Sequence, residues 1–168
     1  MSNMQSILNA DKTISVPPRW VNGDDQRLWI TAPLDISGVS IEGLNLRARV
    51  FKDRPDEDVL FQLEFEHDPK RRDKAIERID WLPWHVHNNK GNGPSELRFV
   101  AQKCSHYHKF DLNWLPLEGR LKLDNLPIAE PISLEIPNFF GLLAFVGKSF
   151  RIINIDVIEQ PGWQPALL

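Results

Sequence analysis

The chain of 168 residues has one cysteine, one tyrosine, two methionines and no long hydrophobic run. A single cysteine closes no internal disulfide, so stability must come from a packed core, and the expected setting is a reducing, cytoplasmic one. The longest apolar stretch, Phe139 to Gly147, has nine residues. A bilayer-spanning helix needs about 20, so no membrane partner is expected. Met1 to Asp11 lacks the basic start and apolar stretch of a signal peptide, and residues 1–16 read as a frayed lead-in. Two familiar metal signatures are also missing, the Cys-x-x-Cys knuckle and His-Glu-x-x-His on a helix, and Glu96 lies too far from His87 for a cupin-type pattern.

The 13 prolines and nine glycines are spread along the chain and leave little room for long helices. With 42% hydrophobic and 26% charged residues, the length suits one domain, 1–168. Strands are predicted where apolar residues alternate. Arg27 to Ala32 is closed by Pro33; Leu44 to Val50 has its even positions apolar, and Val59 to Phe65 its odd ones. Lys52 to Asp58 is a hairpin-length connection, and pairing would set Arg47 and Arg49 beside Glu64 and Glu66. A charged turn, His67 to Asp73, which includes Lys70-Arg71-Arg72, leads to a strand over Ala75 to Leu82 with Arg78 and Asp80 on one face. Asn88 to Pro94 reads as an exposed loop. Leu97 to His108 is extended, with a break expected near Gln102 to Cys104. Asn138 caps a helix over Phe139 to Phe150, and a last strand runs Arg151 to Val157. The expected fold is α+β: a mainly antiparallel sheet of about six strands with one principal C-terminal helix packed on it.

Four of the five histidines and the cysteine fall in two runs, His85-Val86-His87 and Cys104-Ser105-His106-Tyr107-His108. Alternate residues of a strand share a face, so paired runs would converge His85, His87, Cys104, His106 and His108. Imidazole and thiolate suit zinc, with iron, nickel or copper as competitors, and Asp80 or Glu96 would serve as base or extra ligand. The same residues admit metal-free chemistry. His87, His106 and His108 would act as acid and base, with Asp80 alongside and Arg78, Lys103 or Lys109 stabilising charge on a phosphorane. A third reading leaves the histidines as hydrogen-bonding groups on a sheet surface. His67 to Lys109 holds nine basic and five acidic residues on a chain of net charge −3. That local excess would draw an anionic ligand such as RNA, with Trp81, Trp84, Tyr107 and Trp114 as stacking faces.

Arg78-Ile79-Asp80, His85 to Asn88 before a glycine-bearing loop, His106-Tyr107-His108 and the helical Phe139 to Val146 resemble, in that order, a group of small uncharacterised bacterial proteins of mobile elements. Its members show Arg-x-Asp, His-x-Asn and His-x-His blocks and sit beside toxin and antitoxin genes. The resemblance covers the last two-thirds of the chain; Cys104 and the acidic remainder are not part of it. It implies a role in phage or plasmid conflict, as an RNA-directed toxin. The alternative, from a different class, is an antitoxin, immunity protein or assembly subunit whose six tryptophans and acidic surface would serve a partner protein.

Overall fold

The computed structural model describes residues 3–23, 25–66, 74–122 and 126–163. It is an α+β arrangement in which an antiparallel sheet carries a C-terminal helix on one face. Chain order runs α1 (Asn3–Asn9), β1 (Lys12–Ile14), β2 (Val21–Asn22), β3 (Arg27–Ile36), β4 (Val39–Phe51), β5 (Val59–Phe65) and β6 (Ala75–Trp81). It continues β7 (His87–Asn88), β8 (Ala101–Gln102), β9 (His106–His108), α2 (Phe110–Asn113), β10 (Trp114–Leu115), β11 (Arg120–Leu121), β12 (Glu130–Pro131) and α3 (Phe139–Phe150). The main sheet has the order β1-β3-β4-β5-β6-β9-β12, with β2 also on β3, eight strands where about six were predicted. The charged turn predicted at His67 to Asp73 lies outside the described residues.

Alternation decides the faces. Leu44, Leu46, Ala48 and Val50 of β4, Val59, Phe61, Leu63 and Phe65 of β5, and Ile79 and Trp81 of β6 are buried in one core with Leu142, Leu143, Val146 and Phe150 of α3. Asn138 caps α3 as expected, its side chain accepting from the Gly141 N–H at 2.9 Å. Gly147, which weakens a bare helix, has a packing reason: a Cβ there would sit 2.6 Å from Ile155 Cγ2. On the opposite face Arg47 reaches Glu64 at 3.7 Å as expected, but Arg49 pairs with Asp58 at 4.0 Å and Glu66 pairs with Lys74.

Three predicted elements differ. The lead-in is ordered over 3–14, because Met4, Ile7 and Ile14 are buried in the core. The first strand does not end at Pro33 but runs on to Ile36 across a register shift between Pro33 and Asp35. The last strand, Arg151 to Val157, is replaced by a left-handed Arg151 (φ 56°), a single parallel bridge from Ile152 to Lys12 and a 3-10 turn over Ile155–Val157. The residues buried there, Ile152, Ile155 and Ile158, are spaced by three as a 3-10 turn requires, and Ile153 of the expected alternation is exposed. Among the described residues no helix is long and apolar enough to cross a membrane.

The core face also takes polar groups. Lys12 is fully buried, and its ammonium donates to the carbonyls of Leu8, Ala10 and Phe150, tying the ends of α1 and α3 together. Burial lowers its pKa to about 8, partly offset by the charge of Glu77. Glu77, on β6, is pushed up to about 7 by burial, against hydrogen bonds from the Tyr107 hydroxyl and the Phe110 N–H. A raised carboxyl value means that folding favours the neutral form. That stability is full below about pH 4.5 and is lost as pH rises through about 7. Glu77→Gln should therefore abolish a loss on the order of 2 kcal/mol between pH 5 and 8, read as the wild-type minus variant difference in urea unfolding at the two pH values.

Candidate metal centre

The site lies on the sheet face opposite α3, where β6 and β9 pair. The antiparallel register sets Arg78 across from His108 and Asp80 across from His106, and directly opposed residues project to the same side. Tyr107, between the two histidines, points the other way, 6.4 Å from the ring of Phe145 and 6.1 Å from that of Phe150. His106 and His108 are buried by what crosses this face.

The third imidazole arrives from outside the sheet. Leu82, in the left-handed region at φ 47°, ends β6 and turns the chain away, and β7 returns with His87. The His87 ring lies 5.0 Å from that of His106 and 4.7 Å from that of His108. One nitrogen from each of the three histidines falls within 4.8 Å of the others, close enough to hold a metal ion.

Hydrogen bonds fix which nitrogen each ring offers. His106 Nδ1 bonds the Cys104 carbonyl at 2.9 Å and His108 Nδ1 the Leu126 carbonyl at 2.6 Å. His87 Nε2 bonds the Asn89 side-chain oxygen at 2.9 Å and the Pro127 carbonyl at 3.2 Å. A carbonyl only accepts, so each of these nitrogens carries the proton. The lone pairs in the neutral rings then sit on His87 Nδ1, His106 Nε2 and His108 Nε2. Carbonyl acceptors behind metal-binding histidines serve this orienting purpose generally.

Asp80 Oδ2 adds a further acceptor, 3.4 Å from His106 Nε2 and 3.3 Å from His108 Nε2. Arg78 supplies the balancing charge: its Nε donates to Asp80 Oδ2 at 2.8 Å and its Nη2 to His108 Nε2 at 2.6 Å. Burial alone would raise the Asp80 pKa, but the Arg78 guanidinium beside it holds the carboxyl below the usual range. Burial pushes His108 down to about 4 and also lowers His87. Both rings are thus neutral at pH 7, the state in which imidazole binds metal.

The backbone that orients these rings is itself stapled. Asn89 is fully buried; its amide donates to the Leu97 and Ala129 carbonyls, and its oxygen accepts from the Ala129 N–H as well as from His87. Asn113, also fully buried, donates to Lys109 O and Ile128 O and accepts from the Ile128 N–H. Between them they hold Leu126 to Ala129 as a strap whose carbonyls face His108 and His87. Neither asparagine stood out in the sequence. Asn89 sits in a run read as an exposed turn, and a buried amide leaves no periodic signal.

Of the sequence-derived candidates, His87, His106, His108, Asp80 and Arg78 come together, and His85 and Cys104 do not join them. His85 is exposed, because β7 is only two residues long and pairs with β8, not β9, so the alternation expected from His85 to His87 never develops. Cys104 is exposed in the break before β9 and contributes its carbonyl to His106. The predicted extension over Leu97 to Val100 is a turn. Glu96 is exposed beside Ser95, Lys109 pairs with Glu130, and Lys103 is exposed. Trp81 and Tyr107 are buried in the core and offer no stacking face, while Trp84 remains 49% exposed with the Arg54 guanidinium 3.6 Å from its ring centre.

Comparison of the chain with protein-family models, with curated proteins and with solved structures finds no match. Asn89→Ala should lower the unfolding free energy by about 3 kcal/mol, since it leaves several buried backbone groups unpaired. Urea denaturation at pH 7 measures this, and a loss below about 1 kcal/mol would mean that the strap does not depend on Asn89.

Proposed function

We propose that this protein binds one divalent transition-metal ion, with zinc the best fit, through His87 Nδ1, His106 Nε2 and His108 Nε2, and uses it for metal-assisted hydrolysis of an anionic ligand such as RNA. The observation that carries the reading is the meeting of three imidazoles, one nitrogen of each within 4.8 Å of the others, with the Asp80 carboxylate beside two of them. Three histidines leave a fourth tetrahedral position for water, whose pKa drops to about 7 on zinc. Asp80 is within reach as base or additional ligand. Nitrogens bound to one zinc at about 2.1 Å lie roughly 3.4 Å apart, so an ion would draw the three rings together by about an ångström.

Acid–base cleavage without metal is the weaker version. It needs one imidazolium as general acid, and burial lowers the pKa of His87 and of His108, which disfavours that form in two of the three rings. A non-enzymatic role as antitoxin, immunity protein or assembly subunit has one supporting observation: Leu82, Trp84 and Val86 are exposed in succession where the chain leaves β6.

Protein purified without a histidine tag should contain close to one equivalent of zinc or a neighbouring transition metal by plasma mass spectrometry. The double variant His106→Ala, His108→Ala should contain under a tenth of that amount, about the background of a non-binding protein. A wild-type content equally low, with no uptake on dialysis against zinc, would end the metal reading. If the double variant keeps full cellular activity, the interaction module gains and the hydrolase falls.

A further inference from the structure

Arg78 engages the same lone pair that the metal would use. Its Nη2 lies 2.6 Å from His108 Nε2, and its Nε is held by Asp80 at 2.8 Å. A hydrogen bond runs along the acceptor's lone pair, and a zinc ion would lie on that line at about 2.1 Å from the nitrogen. The guanidinium nitrogen and the ion therefore need the same place. Arg78 also keeps Asp80 neutralised, so the carboxylate is committed to an internal partner.

We infer that Arg78 is an internal competitor for the metal, and that ion entry displaces its guanidinium to recognise an oxyanion, a phosphate or sulfate group bound beside the ion. This deepens the metal-centre proposal and rests on it. The exchange follows from charge. With the ion on the three histidines, Asp80 can turn to the stronger cation, and a guanidinium beside a dication is repelled unless an anion lies between them. The guanidinium fork suits a tetrahedral oxyanion, one edge on the ion and another on Arg78. The side chain has room to leave: it is 25% exposed, whereas His106 and His108 are nearly inaccessible. Arg78 sits at mid-strand on β6, so only its side chain moves while the register with β9 persists.

Binding linkage makes the idea measurable. If the anion holds the displaced guanidinium, it must tighten metal binding by the same factor by which metal tightens anion binding. The experiment is a zinc titration of untagged protein against a chromophoric chelator at pH 7, with chloride or sulfate at equal ionic strength. Three proteins are compared: wild type, Arg78→Met and Arg78→Lys. Arg78→Met should bind zinc about tenfold more tightly than wild type in chloride, because no cation contests the lone pair and Asp80 is released. Sulfate should tighten the wild type severalfold and leave Arg78→Met unchanged. Arg78→Lys, whose single ammonium cannot bridge Asp80 and His108 together, should fall between and decides the matter if the methionine variant does not fold. Equal or weaker zinc binding by the variants, or a sulfate response that survives in Arg78→Met, overturns the exchange while leaving the metal centre standing. Absence of zinc binding in all three overturns both.

Discussion

Two buried asparagines set the frame on which the site depends. Asn89 and Asn113 each satisfy backbone groups that would otherwise be stranded away from water, and together they lock Leu126 to Ala129 across the face of the sheet. A buried amide with all its partners made is tolerated; one with partners missing costs more than the bonds contribute, so such a network admits one arrangement and excludes neighbouring ones. The consequence reaches the histidines directly. The strap's carbonyls choose the tautomers of His87 and His108, and the Cys104 carbonyl does the same for His106. Three rings that could each present either nitrogen are reduced to one lone-pair arrangement.

The sheet supplies the other half. Pairing of β6 with β9 brings Asp80 and Arg78 against His106 and His108 without any loop being required to position them. Side chains on adjoining strands of a sheet with a packed opposite face are held more firmly than side chains on loops, which favours a site with defined geometry. Among the described residues, the Asp80 carboxylate and the His108 lone pair share one donor group, the Arg78 guanidinium, with His106 Nε2 3.4 Å from the same carboxylate oxygen. Such a surplus of acceptors is where a cation is most strongly favoured, and it distinguishes this cluster from histidines that merely decorate a surface. Neutral His87 and His108 fit the same picture, since a site designed around imidazolium would not bury them beside an arginine.

Much of this was legible in the sequence where one rule acted alone. Period-two alternation over β4, β5 and β6 gave the strands and their faces, and Asn138 with the spacing of Phe139 to Phe150 gave the helix. Alternation placed His106 with His108, and Arg78 with Asp80, on common faces. It failed where local pattern and tertiary role parted. Ile153 and Ile155 alternate with polar residues as a strand would, yet Gly147 admits Ile155 so closely to α3 that a 3-10 turn forms there. His85 and His87 alternate too, but a two-residue strand has no face to share. The meeting of His87 with β9 depends on Leu82 turning left-handed and on the amides of Asn89 and Asn113. None of these has a periodic signature, since each follows from long-range contacts.

The central claim is that backbone carbonyls hold three imidazoles with their lone pairs turned toward one point. Long-range proton–nitrogen correlation spectra of the histidine rings test it most directly, recorded at pH 7 on metal-free protein and again with one equivalent of zinc. The account predicts protonated Nε2 in His87 and protonated Nδ1 in His106 and His108, and zinc-induced shifts at the complementary nitrogen of all three rings. Protonation of His106 or His108 at Nε2 in the metal-free protein, or spectra unchanged by zinc, would contradict it.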